Sequence, residues 1–293
     1  MHPYRPEGLF RLPPSPDALH KAASTGQILQ AICTKCDERH DLHVDLGPIR
    51  GIIPREEAAL DLPHSKVRDI ALLSRVGKCV SFQVLSLEKD RAILSRKAAQ
   101  KEAQSYFLSA LRPGDIIEAN VLNPAEFGVF CDIGCGITAL MRIDRCCISR
   151  LDTTSQRFYP GQKIYAAILH IDDRTGLIDL TGKELLGTWS QNAKLFHPGQ
   201  TVTGFVRSAM PYGLFVELTP NLSGLSEPDS RVSPGDAVSV YIRSINEMTH
   251  KIKLNILQIL PHQPRPPELQ FYLTSGHLET WEYFPGSANT TYF

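Results

Sequence analysis

Two stretches of this 293-residue chain repeat each other. Arg112-Pro113-Gly114-Asp115 opens one copy and His197-Pro198-Gly199-Gln200 the next, and Phe127-Gly128-Val129-Phe130 answers to Tyr212-Gly213-Leu214-Phe215. Gly114 to Gly199 and Gly128 to Gly213 are both 85 positions (199 − 114, 213 − 128). Gly161 to Gly235 and Ile171 to Ile245 are both 74 (235 − 161, 245 − 171). The second copy is therefore shorter, by the difference of the two offsets (85 − 74), in one place between its landmarks. A repeat with a single clean deletion marks each copy as a complete folding unit.

Within each copy, short apolar runs alternate with turns rich in Gly, Pro and Asp. They cover 116–122, 129–133, 163–171 and 177–180, then 200–206, 214–218, 238–245 and 251–254. About five short strands in some 60 to 75 residues suit a small closed barrel better than an open sheet. A more diverged third copy lies upstream. Asp45-Leu46-Gly47 matches Asp132-Ile133-Gly134, Val76-Gly77-Lys78 matches Pro160-Gly161-Gln162, and Ile93-Leu94-Ser95 matches Asp179-Leu180-Thr181. The expected architecture is all-β, with three tandem five-stranded barrels at 26–97, 112–182 and 197–258.

Helical connectors are expected between them. Ala99, Ala103, Phe107 and Leu111 form one apolar stripe within 95–111, and Leu186, Trp189 and Ala193 form another within 183–196. In the N-terminal segment 1–25, a Pro-rich and loosely ordered start precedes Ser15-Pro16-Asp17, an N-cap with a first-turn proline that predicts a short helix over 16–23. The tail 259–293 opens with an extended Pro261, Pro264, Pro266, Pro267 run. It ends in aromatic residues from Phe271 to Phe284, which either dock back on the barrels or meet a partner.

Lys+Arg and Asp+Glu both number 31, which argues against coating nucleic acid by bulk charge. The sequence has no run of about 18 apolar residues and no signal-like N-terminus, so neither membrane nor export is expected. Seven scattered cysteines suit a reduced cytoplasmic setting rather than a disulfide framework. Walker, nucleophile-elbow and carboxylate-cluster patterns are missing, so neither enzyme activity nor a cofactor is expected. Cys33, Cys36, His40 and His43 have zinc-binding chemistry, but their spacing is shorter than a zinc finger's and reads as a hairpin, so no metal is expected.

The Pro-Gly opening, Phe127-Gly128-Val129-Phe130-Cys131-Asp132-Ile133-Gly134, Pro160-Gly161-Gln162 and Ile178-Asp179-Leu180-Thr181 together resemble the S1 RNA-binding domain, an OB-type barrel. The second unit resembles it most fully. The third has a shortened connection after Gly224-Leu225, and the first, with Gly51-Ile52-Ile53-Pro54, resembles the diverged leading domains of that family. The resemblance covers about 26–258 and implies binding of single-stranded RNA, with a role on mRNA at the small ribosomal subunit. Two departures stand out. The family's usual His after the third strand is Arg142 in the second unit, with Glu227-Pro228 near that place in the third. The common basic residue before the last strand is Arg91, Leu177 and Lys251 in the three units.

The stacking candidates are Phe127, Phe130, Tyr212 and Phe215, since aromatic rings accept any base. Strict alternation puts residues three apart on opposite faces. Gly128 and Gly213 can host a bulge or kink that turns both rings outward; the plainer readings are that one ring of each pair fills its barrel or that the rings are surface aromatics with no ligand. Arg142, Lys251 and Lys253 are the phosphate candidates. The first unit places His40 and His43 where the second has Phe127 and Phe130, and adds Arg91; these are weaker RNA contacts. Two other roles remain: a scaffold binding a protein partner through the first barrel or the C-terminal tail, and an accessory subunit of an RNA-degrading complex.

Overall fold

The computed structural model describes residues 3–8, 12–60, 69–261 and 268–293. The prolines at 264, 266 and 267 lie outside the described residues, as does part of the N-terminal segment. Ser15 caps α1 (Pro16–Thr25) by accepting from the Ala18 amide at 3.3 Å. Gly26, at φ 71°, ends that helix. The first barrel contains β1 (Leu29–Cys36), β2 (Leu42–Leu46), β3 (Ile49–Ile53), the short α2 (Asp69–Leu73), β4 (Cys79–Leu87) and β5 (Arg91–Ser95). Helix α3 (Arg96–Ala110) follows at once, capped by Ser95, and buries Ala99, Ala103 and Phe107.

The second barrel contains β6 (Ile116–Ala125), β7 (Gly128–Asp132), β8 (Thr138–Arg142), α4 (Ile143–Cys146), β9 (Lys163–Asp172) and β10 (Leu177–Thr181). Residues 183–196, expected as one helix, form a 3-10 turn at Lys183–Leu186 and a separate α5 (Trp189–Ala193). Gly187 breaks them with φ 85°, and Thr188 starts α5 afresh through a capping box with Gln191. The third barrel has β11 (Thr201–Met210), β12 (Gly213–Thr219), β13 (Leu222–Ser226), β14 (Ala237–Asn246) and β15 (Lys251–Leu260).

All three barrels close by the same circuit. The first strand pairs antiparallel with the second and fourth, and the third and fifth strands pair in parallel. Closure removes free edges and forces alternate residues inward. In β7, Val129 and Cys131 face the core; in β15, Ile252 and Leu254 do, between exposed Lys251 and Lys253. The length difference between the two copies falls between third and fourth strands, as expected: 143–162 carries α4 and a 3-10 turn, whereas 227–236 carries neither.

That extra segment holds two barrels together. Arg157, fully buried, donates to both oxygens of Glu217 at 2.6 and 2.7 Å, and Arg207 approaches the same carboxylate at 2.8 Å. Burial alone would push the Glu217 carboxyl up; the two guanidiniums outweigh it and hold it below its ordinary value. Ile148 and Ser149 add hydrogen bonds to Asn221 and Pro220 at the β12–β13 tip.

The first two barrels are joined by a strap, residues 3–8. The Glu7 carboxylate accepts from Arg96 at 2.8 and 2.9 Å and from the Ser81 amide at 2.9 Å, while its own amide donates to Asp132 at 2.7 Å. Burial, then the nearby Glu7 charge, pushes the Asp132 carboxyl up to about 7. Tyr4 packs edge-on against Tyr106 and Phe107.

The aromatic tail docks back rather than standing free for a partner. Strands β16 (Thr280–Glu282) and β17 (Thr290–Tyr292) form a hairpin that buries Trp281 and Tyr283 against the third barrel. Tyr283 donates to the Asn221 carbonyl, and Phe271 packs edge-on against Tyr165 at 5.4 Å. Of the two expectations for these rings, docking on the barrels is the one the fold adopts.

Glu217→Gln should cost about 3 kcal/mol or more, because it strands buried Arg157; urea denaturation should show the third barrel unfolding separately from the second. For Asp132 the folded value lies above the ordinary carboxyl value of 3.8, so the fold binds the proton more tightly than the unfolded chain. Its contribution to stability is fully present below about pH 4 and is lost as pH rises towards 7. Asp132→Asn should flatten that part of the stability profile, measured as urea midpoints between pH 4.5 and 8.

Candidate nucleic-acid interface

Both rings of each aromatic pair lie outside the barrel. Phe127 is 58% exposed and Tyr212 64%, and their partners Phe130 and Phe215 are half-buried on the surface. The rings meet edge to face, with centroids 5.8 Å apart in the first pair and 6.2 Å in the second. The arrangement with one ring filling each barrel does not occur. Phe127 and Tyr212 sit in the hairpin turn just before β7 and β12, so strand alternation does not govern them.

The glycines act differently from expectation. The register shifts lie on the partner strands, between Val121 and Asn123 and between Val206 and Ser208, not at Gly128 or Gly213. Gly128 allows close strand approach instead: a Cβ there would lie 2.7 Å from the Met141 carbonyl oxygen. Gly213 meets the Ser226 carbonyl in the same way.

Around each ring pair, the barrel circuit builds a row of side chains across adjacent strands. Phe215 pairs with Leu225, which pairs in parallel with Lys253. Phe130 pairs with Leu140, and Leu140 with Asp179. His43 pairs with Ile52, and Ile52 with Ile93. Three equivalent rows thus end in a cation, an anion and an apolar residue.

Lys251 and Lys253 are exposed and make no ion pair among the described residues, which leaves them available to phosphate. Arg142 stands opposite Gly128, beside Phe127, but its Nε lies 3.1 Å from Asp144 Oδ1. In the first barrel, His43 Nε2 lies 3.0 Å from Asp37 Oδ2, and this hydrogen bond is the main cause holding the Asp37 carboxyl below its ordinary value. His40, at φ 64° in the β1–β2 turn, lies 3.9 Å from Asp69. The two histidines are tied down and do not form a ring pair like those of the other barrels.

Arg91 is exposed and has Arg50 as its parallel-strand neighbour, also exposed. Arg50 was missed in the sequence because nothing local marks its register against a strand so far along the chain. Cys33 is buried in the first core, which pushes its thiol up to about 11. Among the described residues no group of three or more His, Cys, Asp or Glu side chains is placed to hold a metal. No helix of the described residues is long and apolar enough to cross a membrane.

Comparison with known proteins bears on this surface. Residues 23–97 match the family model of the S1 RNA binding domain. That span is the first barrel, the unit whose sequence reads as the most diverged. The chain is 28% identical over 261 residues to the small ribosomal subunit protein bS1 of Staphylococcus aureus (strain COL), covering 84% of this chain and 65% of that one. It is 29% identical over 259 residues to the bS1 homolog of Bacillus subtilis (strain 168), covering 82% and 65%. The chain therefore spans about two thirds of the length of these relatives. A multidomain protein with nucleic acid binding domains from Streptococcus pneumoniae TIGR4 aligns with 79% of this chain and 73% of its own, at 15% identity and a TM-score of 0.28. The first barrel matches the S1 RNA binding domain, and over 84% of its length the chain is similar to the bacterial bS1 protein of Staphylococcus aureus.

Proposed function

We propose that this protein binds single-stranded RNA on its barrels, without catalysis, and acts in translation in the cytoplasm, in association with the small ribosomal subunit. The observation that carries the reading is the repeated ring pair: two barrels present two aromatic side chains each from the same hairpin, next to a half-buried strand row on the outer face. Stacking on such rings is indifferent to base identity and contributes about 1–3 kcal/mol per base. The balanced net charge fits a surface that relies on stacking with few phosphate contacts. The bS1 relatives support the ribosomal setting by their names.

The direct test is fluorescence anisotropy with single-stranded RNA, duplex RNA and single-stranded DNA, followed by co-sedimentation with small ribosomal subunits. Phe127→Ala with Tyr212→Ala should weaken single-stranded RNA binding by about 1–3 kcal/mol per ring and leave the salt slope nearly unchanged. Lys251→Ala with Lys253→Ala should flatten that slope by up to about two contacts, each about 0.7 in log–log slope. Arg142→Ala should change it less, since Asp144 already occupies that guanidinium. Binding that depends steeply on salt and ignores both ring changes would overturn the stacking surface.

A further inference from the structure

The row Phe130–Leu140–Asp179 has a roof. Helix α3, which leaves the first barrel, crosses the second, and a groove of about 460 Å³ lies between them. Phe130, Leu140 and Leu177 give it apolar walls, and Asp179, Thr138 and Gln104 supply its polar groups. Gln104 reaches down from α3 to Gly176, where a Cβ would lie 2.8 Å from its amide nitrogen. The Asp179 carboxylate makes no ion pair and no hydrogen bond among the described residues, and neither does the Gln104 side-chain amide. Among the described residues no Lys or Arg lines the groove.

These features point away from phosphate and towards a base. Apolar walls with a few converging polar groups are the usual makeup of a site for a flat organic ligand. An unpaired carboxylate repels the RNA backbone and accepts hydrogen bonds only. Adjacent strands lie about 4.8 Å apart, so Phe130 and Asp179, two strands apart, flank a gap of roughly 10 Å over Leu140. A nucleobase fits that gap with its face on Leu140 and Phe130 and its pairing edge on Asp179. Among the four RNA bases, guanine alone offers two neighbouring donors on that edge, N1–H and the N2 amino group, matched to the two oxygens of a carboxylate.

We infer that the groove between α3 and the second barrel is a guanine-selective subsite, with Asp179 as the residue that determines specificity and Gln104 closing it from above. The inference rests on the proposed RNA-binding function and adds division of labour to it: the second barrel reads a base where the third, with Lys253 at the equivalent position, holds the backbone.

The test uses the full chain and anisotropy with a short oligouridine, compared with the same oligomer carrying one central guanosine, adenosine, cytidine or inosine. The guanosine oligomer should bind about 5- to 100-fold tighter than oligouridine, the range of a good bidentate base contact. Inosine, which lacks the N2 amino group, should lose most of the gain. In Asp179→Ala the guanosine and uridine oligomers should bind alike, and Gln104→Ala should narrow the gap between them. Equal wild-type affinity across the series overturns the subsite and leaves RNA binding standing; a guanosine preference that survives in Asp179→Ala overturns the role of that residue. Absence of wild-type binding to every oligomer overturns both this inference and the proposed function.

Discussion

Glu217 is held by two guanidiniums in a space that water does not reach, and one of the two comes from a different barrel. A carboxylate in that position is tolerable only while both cations stay in place. The second and third barrels are thereby committed to one relative orientation, and with them the ring pairs at Phe127 and Tyr212. Glu7 does the same for the first and second barrels through Arg96. Beads on a flexible string would offer RNA three independent patches. Barrels clamped by buried ions offer a surface of defined spacing, and the roofed groove beside Phe130 exists only because α3 is held against its neighbour.

Much of the fold could be read from repeat arithmetic. Matched offsets, 85 at Gly114 and Gly128 and 74 at Gly161 and Ile171, mark strands and turns of one unit, and the single deletion maps to one connection. The third strands of the second and third barrels were not among the runs singled out. Thr138–Arg142 and Leu222–Ser226 are short, and in Thr138-Ala139-Leu140 and Ser223-Gly224-Leu225 they carry little of the bulky apolar signal that marks a strand. The break at Gly187 was overlooked because apolar spacing across it still looked helical.

The site was legible in its rings and less so in its charges. Aromatic residues flanking a glycine stand out in a repeat. Their orientation did not, because the turn position of Phe127 and Tyr212 depends on where the hairpin starts. Asp179 and Lys253 occupy equivalent places through a parallel pairing with Leu140 and Leu225, and in each barrel a whole further strand intervenes in the chain between the paired positions. No local pattern reports such a pairing. The strap at Glu7 and the return of the tail are hidden for the same reason: each contact joins positions that are far apart in the chain.

The tail does more than cover the third barrel. Its Gly276 carbonyl accepts from the Ile116 amide, the Leu278 amide donates to the Gly114 carbonyl, and His277 lies 2.8 Å from Asp115. These partners form the opening turn of the middle barrel, which precedes the whole of the third barrel in the chain. During synthesis the middle barrel therefore emerges with its first turn unsealed and stays so until residues 276–278 follow. Domains that form as they are made usually finish in chain order; here the middle unit is sealed only after every strand of the third barrel has been made, so a nascent chain halted before residue 276 carries an unsealed seam in its middle barrel.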